Sequence, residues 1–323
     1  MINHHTKNGD FMLIRLGYVS ISKTLEDSIK YHNITYTDFI KTNNFDKLND
    51  VIISNFNTLN SILKYNEKNN IHFYRLTSKF IPLATHKNLN FDYISKYSDY
   101  FKKSASLIKD IRLDTHPDQF AVLNSTKKEV LENTFKILEY HYKILEALKI
   151  KNPIIILHVG SSVFGKENSI KRFIHNFNLL PNYIKSSIAL ENDDKIYNMI
   201  DVLELAKKIN VPFVFDYHHY RCNNNGENYL DYMNEVFLTW GNIKPKIHFS
   251  SPKNNTKKDF RSHSDYINVD DFIEFIENVK IFNKDIDIML EAKAKDEALF
   301  RLMRQLKYKT NYEFIDDTSF RVL

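Results

Sequence analysis

Histidine and carboxylate side chains recur in this sequence directly after short apolar segments. Asp216 and His219, for example, come just after the aromatic segment 212–215. Six segments end in this way, with His116, His158, Glu191, Asp216, His248 and Glu291. Imidazole and carboxylate groups without thiolate are a ligand set that suits zinc or manganese. Grouped together without a cation, they would repel one another or need extensive hydrogen bonding. We therefore expect metal chemistry if the fold brings them together.

The elements that must position these groups alternate between strand and helix patterns. Apolar side chains step by three and four from Leu131 to Leu148 and again from Met199 to Ile209, which predicts helices. Short β-branched and aromatic runs separate such segments, at residues 11–18, 71–77, 111–117, 153–160, 187–193, 212–218, 245–251 and 285–293. Buried strands that alternate with helices are typical of a closed parallel sheet. The sequence predicts a single-domain (β/α)8 TIM barrel over residues 1–323.

Such a barrel would place the polar groups at one opening. The carboxyl ends of its strands converge there, and side chains alternate between the two faces of each strand. Asp216 therefore shares the inward direction of Val214, and Glu191 shares that of Ala189. Nearby loops add His86, His219 and His263. These nine groups are too many for one ion, so we expect two or three divalent cations, with Glu191 bridging two of them.

Several divalent cations at one opening indicate the kind of reaction. They favour an anionic substrate, activate a bound water and stabilise an in-line displacement at phosphorus. The sequence therefore predicts phosphodiester hydrolysis. Lys246 lies two residues before His248, on the same face and one layer deeper. One interpretation is a salt bridge from Lys246 to Glu291 or Asp216; the other is loss of its proton and carbamylation, which would make it a further ligand.

Composition narrows the setting. The net charge of +5, from 45 basic and 40 acidic residues, is compatible with a polyanionic partner without requiring one. The single Cys222 excludes an internal disulfide framework and suits a reducing compartment. The N-terminal residues contain no apolar signal segment, and the sequence contains no run of 18 apolar residues. We expect a cytoplasmic protein without a membrane partner.

With these residues in place, the sequence resembles the UV damage endonuclease family, within the barrel nucleases that include endonuclease IV. The matching stretches follow the order of the predicted strands: "IRLGY" (14–18), "THPDQF" (115–120), "LHVGS" (157–161), "LENDD" (190–194), "DYHH" (216–219), "PKIHFSS" (245–251), "RSHSDYI" (261–267) and "LEAKAKD" (290–296). The resemblance implies an ATP-independent enzyme, without a nucleotide cofactor, that nicks damaged double-stranded DNA immediately 5′ to cyclobutane dimers and 6-4 photoproducts. It also implies a 3′-hydroxyl product and manganese as the activating ion, with zinc or magnesium as alternatives. We expect a monomer.

The resemblance also assigns roles to residues. It implies that the metal ligands are His116, His158, Glu191, Asp216, His219, His248, His263 and Glu291, and that Lys246, Glu191 and His86 form the catalytic group. Tyr18, Gln119 and Phe120 resemble the residues that probe the lesion. The alternative is that Phe120 caps the core and Tyr18 packs beneath the opening. Ser22 stands where relatives carry Asn, which affects lesion contacts on that side.

The basic loop after the seventh strand is the predicted contact with the DNA backbone. Lys257, Lys258 and Arg261 lie in it, and such side chains either neutralise phosphates or are merely solvated charges. Three other functions stay open at this point. They are a metal-dependent sugar isomerase or epimerase, a nuclease specific for abasic sites, and a damage-binding protein with an inactive site.

Overall fold

Eight parallel strands close into a barrel in the computed structural model, which describes residues 11–26, 29–42 and 45–323. The first strand pairs with both the second and the eighth, so the ring is complete. This confirms the predicted (β/α)8 fold. The barrel strands are β1 Met12–Val19, β2 Phe73–Leu76, β3 Arg112–Thr115, β4 Ile155–His158, β5 Ile188–Glu191, β6 Phe213–Asp216, β7 Lys246–Phe249 and β8 Ile286–Leu290.

Helices connect the strands around the outside of the barrel. The two segments with helical spacing form α5 and α8, and α8 begins with a capping box between Asn198 and Asp201. The helices are α1 Tyr36–Thr42, α2 Phe45–Lys68, α3 Tyr93–Lys96, α4 Ser98–Leu107, α5 Lys128–Ala147, α6 Lys166–Asn178, α7 Asn182–Lys185, α8 Met199–Ile209, α9 Tyr217–Cys222, α10 Leu230–Leu238, α11 Val269–Val279 and α12 Lys295–Lys309, with a 3₁₀ turn at Lys280–Phe282. In the part of the chain that is described, none of these helices has the length and hydropathy needed to cross a bilayer.

One part of the barrel interior is a small apolar core of its own. Ile156, Ala189 and Val214 pack there with Trp240, separately from the large cluster between the sheet and the helices. The inward direction of Ala189 and Val214 is as the alternation along the strands predicts. The same alternation carries Glu191 and Asp216 to the inner face at the carboxyl ends of β5 and β6, where both are buried.

The C-terminal residues add a hairpin that the sequence did not predict. Strands β9 Glu313–Phe314 and β10 Ser319–Val322 pair antiparallel, and β10 pairs with β1 from Met12 to Arg15. As a result, β2 pairs with β1 only at Tyr18 and Val19. The hairpin therefore lies at the amino-terminal end of the barrel and leaves the opposite end free.

Candidate active site

Glu191 occupies the centre of the polar cluster at the carboxyl end of the barrel. Its Oε2 lies 2.9 Å from Nε2 of His116, and its Oε1 lies 2.8 Å from Nδ1 of His248. Nε2 of His158 and Nδ1 of His219 lie 3.8 and 3.6 Å from the same carboxylate. Burial alone would raise the pKa of Glu191, but His248, His158 and His116 hold this pKa well below its usual range. The central carboxylate is therefore ionised and faces four imidazoles.

The end of β6 turns directly into α9, which explains the positions of Asp216 and His219. The Asp216 carboxylate caps this short helix by accepting a hydrogen bond of 2.7 Å from the backbone N–H of His219. Asn192 fixes β6 against β5, because its side chain accepts from the backbone N–H of Asp216 and donates to the Asp216 carbonyl. Burial raises the pKa of Asp216 to about 7, against the effect of His219.

Glu291 forms the second carboxylate of the cluster, at the end of β8. Its Oε1 lies 2.5 Å from Nη1 of Arg75 and 3.5 Å from Nδ1 of His248, and its Oε2 lies 3.9 Å from Nδ1 of His263. A β-bridge between Pro252 and His263 holds the loop that carries this histidine. Sequence reasoning missed Arg75. The available signal was a charged residue inside the apolar run 71–77.

Two overlapping groups of side chains have the donor atoms and spacing of metal sites. His116, His158 and Glu191 form one, and Glu191, Asp216 and His248 form the other, with each group's ligand atoms within 4.8 Å of one another. Nδ1 of His158 and Oδ2 of Asp216 are buried without a hydrogen-bond partner, a condition that a bound cation relieves. The donors are nitrogen and oxygen, so the residues fit zinc, manganese or a similar divalent ion. Glu191 belongs to both groups, so its carboxylate would contact both ions if each group held one.

Lys246 lies fully buried below this cluster, but its ion-pair partner is not one of those predicted. It pairs with Asp114 of β3, across the barrel from β7, and its ammonium lies 4.8 Å from the centre of the Phe73 ring. The predicted pairing with Glu291 or Asp216 is wrong, because Asp114 reaches the same interior layer from the opposite wall. Burial lowers the pKa of Lys246 to about 7, although Asp114 opposes that shift.

His86 lies apart from the other predicted catalytic residues. Its ring stacks on Tyr36, with 3.8 Å between the ring centres, and its Nδ1 accepts a hydrogen bond of 3.3 Å from the backbone N–H of Asn88. Across residues 11–26, 29–42 and 45–323, none of the hydrogen bonds, ion pairs or ring contacts joins His86 to the cluster around Glu191. The structure therefore brings eight of the nine predicted groups together and leaves His86 outside.

The predicted lesion-probing residues differ in exposure. Gln119 is exposed, and Phe120 is 70% exposed, so the alternative that Phe120 caps the core is wrong. Tyr18, in contrast, is 0% exposed: it donates a hydrogen bond of 2.7 Å to Asn66 and its ring packs against Tyr74. A direct lesion contact by Tyr18 is therefore not supported, since it lies beneath the opening.

The basic loop after β7 is exposed at the same end of the barrel. Lys257, Lys258 and Arg261 are all exposed, and Nε of Arg261 lies 3.8 Å from a carboxylate oxygen of Asp194. An open cleft of about 590 Å³ lies at this opening, and the residues that line it include His116, His263, Glu291, Lys293 and Lys295. Cationic side chains along such a cleft attract a polyanion.

The fold and the cluster define a TIM-barrel protein whose opening carries a histidine and carboxylate site that fits divalent cations. Comparison with known families is more specific: the profile of the UV-endonuclease UvdE family matches residues 14–319. A UV DNA damage endonuclease of Bacillus cereus (strain B4264) is 41% identical over 303 residues, which cover 91% of this chain and 95% of that protein. The chain belongs to the UV-endonuclease UvdE family. This confirms the predicted resemblance and the prediction of an endonuclease.

Solved structures agree with this assignment. The crystal structure of SacUVDE is similar with a TM-score of 0.83 and 34% sequence identity, covering 91% of this chain and 98% of that one. Endonuclease IV from Thermus thermophilus is similar with a TM-score of 0.58 at 10% identity, covering 92% of this chain and 100% of that one, which shows the shared fold alone. Family membership disfavours the alternative of a sugar isomerase or epimerase.

Proposed function

We propose that this protein is a metal-dependent DNA repair endonuclease that nicks damaged double-stranded DNA immediately 5′ to UV photoproducts. It leaves a 3′-hydroxyl and uses neither ATP nor a nucleotide cofactor. The observation that carries the proposal is the shared position of Glu191 in two groups of ligand atoms. The name of the relatives, UV DNA damage endonuclease, supports the substrate.

The residues proposed to hold the ions are His116, His158, Glu191, Asp216, His219, His248, His263 and Glu291. When bound, two or three divalent ions, with manganese as the first choice and zinc or magnesium as alternatives, supply an activated water and stabilise charge on the phosphate. Glu191 orients the surrounding imidazoles through hydrogen bonds of 2.8 and 2.9 Å. Arg75 keeps Glu291 ionised, because a nearby guanidinium lowers the pKa of that carboxyl against the effect of burial.

Lys246 is the proposed catalytic lysine beneath the cluster. Its buried ion pair with Asp114 fixes it on the face of His248. Carbamylation of this lysine and a catalytic role for His86 both stay predictions. The same applies to the monomeric state.

Damage recognition is assigned to the exposed loop after β3. A poorly stacked lesion is less costly to expose than a normal base pair, so a flat side chain that enters the gap selects for distortion. Phe120 and Gln119 are exposed beside the cleft residue His116. Lys257, Lys258 and Arg261 are proposed to contact phosphates. Such contacts position the protein along the duplex without distinguishing one base sequence from another.

Incision of a duplex with one cyclobutane dimer tests the proposal. The parent protein is expected to nick it once, 5′ to the dimer, to lose this activity in a chelator and to regain it with manganese. An abasic duplex and an undamaged duplex run in parallel. Cleavage of the abasic duplex alone would replace photoproducts by abasic sites as the substrate, and binding without incision would indicate an inactive site.

A further inference from the structure

An exposed aromatic side chain sits at a constrained tip in the loop after β4. The ring of Phe164 is 76% exposed, and its neighbour Val163 is 45% exposed. The backbone of Phe164 has a φ of 64°, in the left-handed region that bulky residues rarely adopt. Strained backbone of this kind persists only where surrounding structure enforces it.

Side chains from the first turns of α6 hydrogen-bond to the loop. The Val163 carbonyl accepts hydrogen bonds of 2.6 Å from Nη2 of Arg172 and 3.0 Å from the hydroxyl of Ser169. The Phe164 carbonyl accepts one of 2.9 Å from the side-chain amide of Asn168. The backbone that carries the exposed ring is therefore held by hydrogen bonds to α6.

The same loop is joined to the one that carries Phe120. The Asn124 side chain donates a hydrogen bond of 2.6 Å to the Ser161 carbonyl and accepts one of 3.1 Å from the Ser161 backbone N–H. Nε of Arg172 donates a hydrogen bond of 3.1 Å to the Asn124 carbonyl. Phe120 and Phe164 thus extend from two adjoining loops at the carboxyl end of the barrel, the end that carries the cluster around Glu191.

We propose that Phe164 is a second base-stacking residue, which contacts a base left unstacked by the lesion. This inference rests on the proposed function. An aromatic ring gains affinity by stacking on the face of a base, and an intact duplex hides those faces. The guanidinium of Arg172, 6.0 Å from the ring centre, adds positive charge beside a DNA strand. Phe164 therefore contributes to discrimination between damaged and undamaged DNA.

Steady-state kinetics with manganese test this role. The substrate is a duplex with one cyclobutane dimer, and the same duplex without damage serves as a competitive inhibitor. Phe164→Ala is expected to raise KM on the order of tenfold, as the loss of one stacked base predicts, while the inhibition constant of undamaged DNA changes less than about twofold. The effect is expected in KM rather than in kcat. Phe164→Trp keeps a stacking surface and is expected to preserve the parent KM.

Tyr308→Ala is the matched control. Tyr308 is 90% exposed in the last turn of α12, which ends at the opposite side of the barrel from the cluster. If Phe164→Ala has the parent KM while the parent still nicks the damaged duplex, the inference is overturned and the proposed function stands. If the parent protein does not nick the damaged duplex, both the proposed function and the inference about Phe164 are wrong. An equal loss of affinity for damaged and undamaged DNA would also overturn the inference. So would light scattering that shows a parent protein of two copies and a Phe164→Ala variant of one copy, because Phe164 would then lie between protein copies.

Discussion

Arg75 of β2 and Glu291 at the end of β8 form an ion pair inside the barrel opening, with 2.5 Å between Nη1 and Oε1. Nη2 of Arg75 lies 2.6 Å from Nε2 of His248. One arginine therefore holds a carboxylate and an imidazole of the cluster in place. The strands that carry Arg75 and Glu291 both pair with β1, so the closure of the barrel brings them together.

Removal of this guanidinium is expected to destabilise the protein. Arg75→Met keeps much of the side-chain volume but removes the guanidinium partner of the Glu291 carboxylate, whose side chain is only 15% exposed. Loss of one partner of a buried ion pair typically lowers the free energy of unfolding by about 3–5 kcal/mol. Urea unfolding measures the loss. Arg321→Met is the control, because Arg321 pairs with Glu313 on the surface, where little change is expected. Equal losses of unfolding free energy in the two variants would contradict a stabilising role for the Arg75–Glu291 ion pair.

Neutralising the central carboxylate is expected to abolish most incision. Glu191→Gln has the same shape but lacks the anion shared by the two ligand groups, and we expect metal content to fall with activity reduced on the order of 100-fold or more. Nicking of the lesion duplex and elemental analysis of the purified protein measure both. Glu132→Gln, on the exposed face of α5, serves as the control. Parent-like metal content and incision in Glu191→Gln would exclude a bridging role.

Acid is expected to weaken the amino-terminal end of the barrel through Asp287. Burial would raise the pKa of Asp287, but hydrogen bonds and charges from Arg15 and Arg112 hold this pKa below its ordinary value. A depressed folded-state pKa stabilises the protein above the unfolded pKa of about 3.9, and this contribution is lost as pH falls further. The stability difference between the parent and Asp287→Asn should be largest near neutral pH and should narrow below about pH 4. Urea unfolding at several pH values tests this, and a constant difference would contradict it.

Asp296 is expected to position the loop after β1. Its carboxylate accepts hydrogen bonds from the Ser22 hydroxyl at 2.7 Å, the Lys23 backbone N–H at 2.6 Å and the Tyr65 hydroxyl at 2.9 Å. Asp296→Ala removes the acceptor of the Ser22 hydroxyl and the Lys23 backbone N–H, while the Tyr65 hydroxyl keeps the Thr24 hydroxyl at 3.2 Å, and it should lower the free energy of unfolding by about 1–3 kcal/mol. Ser22→Ala removes one donor and should have a smaller effect. A larger loss in Ser22→Ala than in Asp296→Ala would refute this account.

The local patterns of the sequence predicted much of the cluster. Because strand side chains alternate between two faces, the positions of Ala189 and Val214 fixed the directions of Glu191 and Asp216. The complete burial of Tyr18 could not be predicted from this alternation. Its depth depends on how Asn66 of α2 and Tyr74 of β2 pack against it, and neither contact has a local sequence signal.

The sequence by itself determined the barrel, the order of its strands and which polar groups face inward, because these follow from short-range periodicity in the backbone. Only the tertiary structure decided which groups meet across the barrel. Lys246 pairs with Asp114 and Arg75 with Glu291, and the C-terminal hairpin covers the amino-terminal end. These contacts depend on the stagger of strands around the closed ring, and that stagger is a property of the whole sheet.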